Sequence, residues 1–493
     1  MKRRRFIKTS VGAGFAGVGF ALSSSHDLFA RFERQDANRV TKTDATETLA
    51  RFISDFRYES LSRQAVEAAK VGIIDGVGVM LAGSTYRPLA ALMAGYVREM
   101  GGAPRCSVVG WGFQTNAPFA AFANGVFGHC LDYEIQGFPP THGTSACLPA
   151  ALALGEETRA SGRDIILAYV LGWEVQGRLR AAGTGAGAGM SPGFHPPGVV
   201  GPMGGAVAAA KMLRLNMKQT KMALGIAASR AGGLTANTGT MMKSTHPGNA
   251  ARMGAEAALL ARAGFTSHPE VLEAPSGYAA ALFSGGMDWD VLTGGLGTGF
   301  VPRIVDPGFH IKRFPAQIFM QWLTEAVLDL RAAHGLRPDQ VEQLTVESAT
   351  EGTGRSLPTT GLDGKFSPQY CAAAALLDGR VNIETFTDER RFSPDMEAML
   401  RKVSLLPRKG DGARATARLN DGRTVSAECL HFRGSVGNPV SREERLEKFR
   451  YCSRHALSDR ATEQLLGLLE RLEAVDDVSS LMDVVRTRAR ANG

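Results

Sequence analysis

Apolar side chains recur at helical spacing through most of the first three hundred residues. Between Asp44 and Gly83 they fall three or four positions apart, and the pattern ends at Gly83 and Ser84. The same period appears in Ala150–Leu171, Gly204–Leu213, Met217–Arg230 and Asn249–Phe265. This part of the chain is therefore predicted to be mainly α-helical.

The pattern changes beyond about Pro307. Residues Gln343–Ser348 alternate between apolar and polar, as a half-buried strand does. Two further strand-like runs, Ala413–Leu419 and Thr424–Cys429, flank the sequence Asn420-Asp421-Gly422, which favours a tight hairpin turn. This segment is predicted to be a small α+β unit.

Helical spacing returns after Ser441, where four leucines form one stripe: Leu465, Leu466, Leu469 and Leu472. A terminal helix set of this kind is expected to pack back on the first helical part. The predicted fold is mainly α with an inserted α+β domain. Residues 44–308 and 441–490 form the large all-helical domain, and residues 309–440 form the smaller α+β lid domain.

The amino terminus carries the marks of an export signal. Paired arginines at Arg3 and Arg4 are followed by Phe6, by Lys8 and by an apolar run over residues 11–22. That run is well short of the roughly 20 apolar residues needed to span a bilayer. Residues 1–30 are therefore predicted to be a twin-arginine-type signal, recognised by the twin-arginine translocation machinery, which places the protein in the periplasm.

Charge and cysteine usage narrow the class of partner. The formal net charge is +8, and removal of residues 1–30 takes away five basic and one acidic side chain, which leaves +4. No basic run is interleaved with aromatic residues, so nucleic acid is not an expected partner, whereas a small anionic substrate fits. The six cysteines show no CxxC pair, and no HExxH occurs. Neither an iron–sulfur cluster nor a dedicated zinc site is expected.

Candidate chemistry collects where histidines and lysines stand in Gly/Pro-rich junctions beside helices. His142 precedes an apolar run, so it should lie near a helix start, where free N–H groups and the dipole favour a carboxylate. A single histidine is more often a structural residue than a functional one, but the set as a whole favours function. The set comprises His129, Asp132, His142, His195, Lys243, His246, Lys312 with Arg313, and Tyr370.

Sequence motifs of three other protein classes are not found. No GxGxxG follows a strand, Lys243-Ser244 lacks the preceding glycine of a phosphate-binding loop, and no GxSxG nucleophile elbow is present. Dinucleotide binding, loop-based phosphate binding and serine hydrolysis on an α/β-hydrolase elbow are therefore not indicated.

The ordered succession of motifs resembles the MmgE/PrpD family from about Glu47 to Val485. The motifs are Asn124-Gly125 with His129 and Leu131-Asp132-Tyr133, then His142, Gly172–Arg178, Phe194-His195-Pro196, Lys243 with His246 and Gly248-Asn249-Ala250-Ala251, and Lys312-Arg313-Phe314-Pro315-Ala316. Activities known in this family are 2-methylcitrate dehydratase, cis-aconitate decarboxylase and iminodisuccinate epimerase. The resemblance implies a helical domain with an inserted lid, a homodimer, and chemistry without metal or cofactor.

The resemblance also implies the site residues, in a cleft between helical domain and lid. The implied catalytic residues are Asp132, His142, His195 and Tyr370, and the implied substrate-binding residues are Lys243 and Lys312. Gln136 and His246 are predicted from their own positions to bind substrate as well. His142 and His195 would act as the acid–base pair, while the lysines neutralise a small polycarboxylate whose desolvation is otherwise costly. Asp132 is expected to orient His142 or hold Lys243, and Tyr370 to donate a hydrogen bond to substrate.

One stretch departs from the family pattern. Where relatives usually have Asp-Tyr/Phe-Asp-Asp-Thr, this chain has Asp132-Tyr133-Glu134-Ile135-Gln136. Gln136 can still hydrogen-bond a carboxylate, but the reaction stays open. The predicted function is a lyase of the dehydratase or decarboxylase type that acts on a small polycarboxylate. The alternatives are an epimerase or isomerase of a dicarboxylate and a periplasmic carboxylate-binding protein that has lost catalysis.

Overall fold

The computed structural model describes residues 44–185, 189–284, 286–297, 299–349 and 357–487. The predicted signal segment, residues 1–30, lies outside these ranges. Among the helices of the described ranges, none is long and apolar enough to cross a membrane.

Helices dominate the described chain. Those before residue 300 are α1 Ala45–Asp55, α2 Arg63–Gly83, α3 Leu89–Met100, α4 Ala117–His129, α5 Gly143–Thr158, α6 Gly162–Gly185, α7 Pro196–Met212, α8 Met217–Ala228, α9 Met241–Arg262, α10 Tyr278–Leu282 and α11 Trp289–Thr293. Those after it are α12 Met320–His334, α13 Pro368–Asp378, α14 Asp388–Arg391, α15 Pro394–Leu400, α16 Arg442–Ser453, α17 Asp459–Glu470 and α18 Ser479–Arg486.

The strands form one four-stranded sheet and two short pairs. They are β1 Cys106–Ser107, β2 Gln114–Thr115, β3 Gln136–Gly137, β4 Phe309–His310, β5 Val341–Ser348, β6 Val403–Pro407, β7 Ala413–Leu419 and β8 Thr424–Cys429. The sheet order is β6-β5-β7-β8, with β5 and β6 parallel and the other neighbours antiparallel. Helices α12 and α13 pack on this mixed sheet.

Buried apolar side chains form two large clusters that follow the change of pattern along the sequence. One draws on residues 45–304 and 446–485, and the other on residues 314–432. A third cluster joins α2, α3 and α4 with Ile383 and Cys452. A mainly helical fold with a small mixed sheet is thus confirmed, while the domain boundaries at residues 308 and 440 stay predictions.

Two predicted helical stretches are each interrupted. Between Asp44 and Gly83, α1 ends at Asp55 and α2 begins only at Arg63. The stretch Ala150–Leu171 was expected as one helical pattern, but α5 ends at Thr158 and α6 begins at Gly162. Arg159 adopts a φ of 52°, in the left-handed region, which closes α5. Both helices keep their apolar faces on the same core, so the hydrophobic period continues across the break.

Close helix contacts bring the chemistry-bearing helices together. A Cβ added to Gly125 on α4 would lie 2.8 Å from the Cα of Gly248 on α9. A Cβ added to Gly205 on α7 would lie 2.8 Å from the carbonyl oxygen of Ala250 on α9. Both distances are shorter than real Cβ contacts, so the three helices touch backbone to backbone. The last turns of α4 and the middle of α7 therefore both pack on the third turn of α9, which brings the end of α4, the start of α7 and the start of α9 to one side of the helical part.

Candidate active site

The convergence gathers six polar residues from different parts of the chain, of which five are buried and His195 is half-buried. His129 ends α4, His142 immediately precedes α5, and His195 immediately precedes α7. Lys243 and His246 lie on the first turns of α9. Lys312 follows β4, which pairs with β3 and so joins the segment after Asp132 to the lysine. The prediction that His142 stands at a helix start is confirmed.

Asp132 holds both lysines. Its Oδ2 accepts a hydrogen bond from Lys243 Nζ at 2.7 Å, while Lys312 Nζ donates to its Oδ1 and, at 2.9 Å, to its backbone carbonyl. Burial alone would raise the pKa of this carboxyl, but the two ammonium groups hold the pKa well below its usual range. Asp132 has a φ of 49°, a strained value for a non-glycine residue and typical of functional sites.

The proton position on His129 follows from its neighbours. Lys243 Nζ lies 2.8 Å from His129 Nε2, and an ammonium group can only donate, so Nε2 accepts. The proton of the neutral ring is then on Nδ1, which donates to Glu134 Oε1 at 2.6 Å. Burial first, and the Lys243 charge second, lower the pKa of His129 to about 3. His129 is therefore a neutral link between Lys243 and Glu134.

Glu134 is the carboxylate on which the two central histidines meet. Besides His129, its Oε1 accepts a hydrogen bond from Ser145 Oγ at 3.0 Å and lies 2.8 Å from Nδ1 of His142. The His142 contact is electrostatic, because its N–H is not aligned with that oxygen. Burial opposes ionisation, but the histidines hold the pKa of Glu134 well below its usual range. The opposite nitrogen of His142, Nε2, faces Asp132 Oδ1 at 4.0 Å and is left for proton exchange.

These residue types also raise the question of a metal. Ligand atoms of His129, Glu134 and His142 lie within 4.8 Å of one another. The closest pairs, however, are 2.6 and 2.8 Å apart, whereas ligands on a tetrahedral zinc ion stand roughly 3.3 Å apart at bond lengths near 2.0 Å. The second nitrogen of His129 already accepts from Lys243. The geometry of these three residues fits a hydrogen bond from His129 and a charge contact with His142 rather than metal coordination.

His195 and His246 form a second histidine pair. Their Nδ1 atoms are 3.0 Å apart, so one ring donates and the other accepts. Burial first, and Lys243 second, lower the pKa of both, that of His246 to about 4. The ring centroids of His142 and His195 are 6.5 Å apart. The predicted acid–base histidines thus share one site, and His246 orients His195.

Three predicted site residues are engaged with protein groups. Lys312 is fully buried, and its ammonium holds Asp132. Gln136 Nε2 donates to the carbonyl of Thr141 at 3.0 Å, which braces the segment that ends at His142. Tyr370 Oη donates to the carbonyl of Thr385 at 2.5 Å, within the apolar cluster of residues 314–432. Their contact with substrate stays a prediction.

A second layer fixes the segment between Asp132 and Gln136. Asp75 on α2 pairs with Lys448 on α16 at 2.7 Å and accepts the backbone N–H of Ile135 at 3.0 Å. Lys448 also donates to the carbonyls of Tyr133 at 2.8 Å and Lys312 at 2.9 Å. The Ile135 side chain is buried in the helical core. The family departure at this position therefore faces the core, while Glu134 faces the histidines.

The sequence alone gave no role to Glu134, Ser145 or His129. His129 stood in a junction that the sequence singled out, and Glu134 stood in the departing stretch, but neither received a role there. Ser145 lies one turn into α5 and carries no local signal. Their meeting depends on the packing of α4 against α5, which spacing along the chain does not specify.

Because the pKa values of the site histidines are lowered, we expect the free energy of unfolding to fall on acidification. The pKa values of His129, His195 and His246 are below the unfolded value of 6.5, so the unfolded chain binds more protons below about pH 6.5. Their contribution to stability is full above about pH 6.5 and is lost as pH falls, down to about 4 for His246 and about 3 for His129, by at most about 1.4 kcal/mol per pH unit for each histidine.

Urea unfolding at pH 7 and pH 5 measures how the free energy of unfolding depends on pH. The His246→Gln variant should lose less stability between the two pH values than the parent, because one titrating group is gone. His334→Gln, at an exposed position, should match the parent. A parent stability that is unchanged between pH 7 and pH 5 would contradict the neutral state of these rings.

Comparison with known proteins identifies the family. The model of the MmgE/PrpD N-terminal domain matches residues 47–290, and that of the MmgE/PrpD C-terminal domain matches residues 314–473. The chain is 32% identical to the cis-aconitate decarboxylase of Homo sapiens over 461 residues, which cover 90% of this chain and 94% of the relative. The corresponding values for Mus musculus are 31% over 463 residues, 90% and 93%. For cis-aconitate decarboxylase of Aspergillus terreus they are 25% over 488 residues, 92% and 98%. The chain therefore belongs to the MmgE/PrpD family.

Proposed function

We propose that this protein is a cofactor-independent carboxy-lyase that decarboxylates cis-aconitate or a close polycarboxylate. Family membership and the cis-aconitate decarboxylase relatives support the lyase class. The observation that carries the finer proposal is His142, which has Nδ1 against Glu134 and Nε2 open toward the Lys243–Asp132–Lys312 group. Export to the periplasm and a homodimeric state belong to the same proposal and rest on the sequence.

The proposed reaction removes one carboxylate and moves one double bond. In cis-aconitate the bond between the methylene carbon and its carboxylate breaks and carbon dioxide leaves. The released electron pair forms a new double bond to the central carbon. The pair of the former double bond moves to the outer carbon, beside the remaining terminal carboxylate, where one proton is added. The products are itaconate and carbon dioxide, and one proton is consumed.

The site supplies what this reaction needs. Negative charge accumulates on the outer carbon and its carboxylate, and the ammonium of Lys243 stabilises charge there more as the transition state forms. His142 delivers the proton from Nε2, since Glu134 and the helix start fix the ring. Asp132 keeps Lys243 in place and neutralises part of its charge, so the free site does not carry two uncompensated buried cations.

Dehydration of 2-methylcitrate is the second candidate. It needs two proton-transfer groups, one to remove a proton and one to protonate the departing hydroxyl. The His195–His246 pair supplies the second group, because the ring centroid of His195 lies 6.5 Å from that of His142. A decarboxylation uses only one, so the second pair is the observation that favours this alternative.

The test is incubation of the purified protein with cis-aconitate, 2-methylcitrate, citrate and methylsuccinate in D2O, followed by NMR. We expect cis-aconitate to give itaconate with one deuterium on the saturated carbon beside the terminal carboxylate and none on the =CH2 group, and the other compounds to persist. The His142→Ala variant is the matched control. Loss of water from 2-methylcitrate would favour the dehydratase, and binding without turnover of any compound would favour a carboxylate-binding protein.

A further inference from the structure

A third buried lysine lies beside the site, and the proposed reaction leaves it without a role. Lys365 belongs to the single turn Asp363–Phe366 that directly precedes α13, here named the contact turn. Its side chain is 1% exposed. Its ammonium donates to the carbonyl of Cys130 at 3.0 Å and stands 4.0 Å from the ring centroid of Tyr86.

The contact turn touches the helical part at three places that border the site. Lys365 reaches the Cys130 carbonyl, and the ring of Phe366 lies 4.9 Å from Lys243 Nζ. A Cβ added to Gly239, just before α9, would lie 2.0 Å from Asp363 Oδ1, so that backbone abuts the turn. The turn is itself braced from behind by the ring of Tyr370, which packs on Gly364. Residues of the second apolar cluster thus fix the turn, and the turn contacts the helical site.

Cys130 lies between the two residues that hold the site lysines. His129 precedes it and accepts from Lys243, and Asp132 follows it by two residues and binds both Lys243 and Lys312. The chain bends sharply there, because α4 ends at His129 and Asp132 adopts a φ of 49°. A hydrogen bond to the Cys130 carbonyl therefore fixes the peptide whose orientation decides where His129 and Asp132 point.

We propose that Lys365 is a positioning residue of the active site: by holding the Cys130 carbonyl, it keeps His129 and Asp132 in the geometry that orients Lys243 and Lys312. It acts through the backbone and contacts no reacting atom. The proposal rests on the proposed function for its kinetic readout only, since the histidine geometry can be observed without substrate.

Stability gives little reason for a lysine at this position. Burial lowers the pKa of Lys365 to about 8, the mark of an ammonium whose desolvation its surroundings only partly offset. Its ammonium donates to a neutral acceptor, the carbonyl of Cys130. Replacing Lys365 by an apolar side chain removes the desolvation cost of the ammonium but leaves the Cys130 carbonyl without this donor, so the two effects oppose each other and the net change in stability should be small. Activity and stability are therefore expected to respond differently to its removal.

The chain offers a matched control. Lys211 near the end of α7 also donates to backbone carbonyls, those of Ile53 and Phe56, each at 2.9 Å. Burial lowers its pKa to about 8 as well. It lies about 24 Å from His195 along the helix. Lys211→Met therefore removes a comparable group far from the site.

The experiment compares Lys365→Met, Lys365→Gln and Lys211→Met with the parent in two readouts. The first is NMR of protein labelled with 15N in histidine rings, with the His129 signals assigned by a His129→Gln variant. The second is steady-state kinetics on cis-aconitate. We expect Lys365→Met to shift or broaden the His129 ring signals and to lower kcat by about 100-fold, with KM within about threefold, because a misplacement near 1 Å costs about that much.

The other variants make the outcome decisive. Lys365→Gln retains an N–H donor and should lose less, about tenfold in kcat. If Lys365→Met does not fold, the Gln variant and its His129 signals decide. Lys211→Met should match the parent in both readouts. Unchanged His129 signals in the folded Lys365 variants would overturn the proposal. If the parent itself does not convert cis-aconitate, the proposed function fails, and the NMR readout still tests Lys365.

Discussion

Replacing His142 with alanine should lower kcat on cis-aconitate by about a thousandfold or more, within the range that a lost general acid produces. The reason is that the proposed mechanism takes the proton from Nε2, while Glu134 on the opposite nitrogen holds the ring. Binding should change far less, because the substrate-binding cations of the proposal are Lys243 and Lys312. Itaconate formation by NMR gives kcat, and isothermal titration with cis-aconitate gives affinity.

The His142→Ala substitution should leave α5 intact. The His142 side chain makes no capping hydrogen bond to α5, so its removal does not take a cap from the helix. His334→Ala, at an exposed position at the end of α12, controls for the loss of an imidazole and should behave like the parent. If the His142 variant converts cis-aconitate at the parental rate, the proton source lies elsewhere.

Replacing Lys243 or Lys312 with methionine should each reduce kcat/KM by at least about a hundredfold. Both ammonium groups pair with the buried carboxylate of Asp132. Each substitution removes one of the two cations that Asp132 holds in the proposed substrate site, and losing one partner of a buried ionic contact costs roughly 3–5 kcal/mol, equivalent to a hundredfold or more. Loss of Lys243 also frees Nε2 of His129, so its effect should be the larger.

The double variant tests the shared partner. Because both lysines act through Asp132, the combined loss should fall short of the product of the single losses. Lys218→Met on α8 is the control for removal of an exposed lysine and should leave kcat/KM unchanged. Additive single effects, or parental kcat/KM in the Lys312 variant, would show that Asp132 does not couple the two groups.

The strands of the α+β part could be predicted from the local sequence pattern. Residues Ala413–Leu419 and Thr424–Cys429 were predicted as a hairpin, and β7 and β8 have those bounds. Inward and outward positions alternate along β7, so two-residue periodicity and a turn sequence suffice. The helix boundary at Arg159 was missed, because both helices pack on one core and the apolar period runs through the break.

The residues of the candidate site could be predicted from the sequence only in part. His142, His195, Lys243 and Lys312 could be proposed from their junctions and from family resemblance, and the structure brings them together. Glu134 could not be given its role, because a carboxylate in a departing stretch has no local mark of its partners. Ile135, its neighbour, looked like a change in the site, yet it is buried in the helical core.

The sequence by itself determined the helical and strand segments and the residue types available for acid–base chemistry, because hydrophobic period and turn residues act over a few positions. It also determined the family, through motifs whose order spans nearly the whole chain. Only the tertiary structure decided which groups share protons and charge. Asp132 binds lysines 111 and 180 residues away, and Glu134 joins two histidines from opposite ends of a loop. Such contacts depend on backbone-to-backbone helix packing at Gly125 and Gly205, and separation along the chain carries no information about that distance.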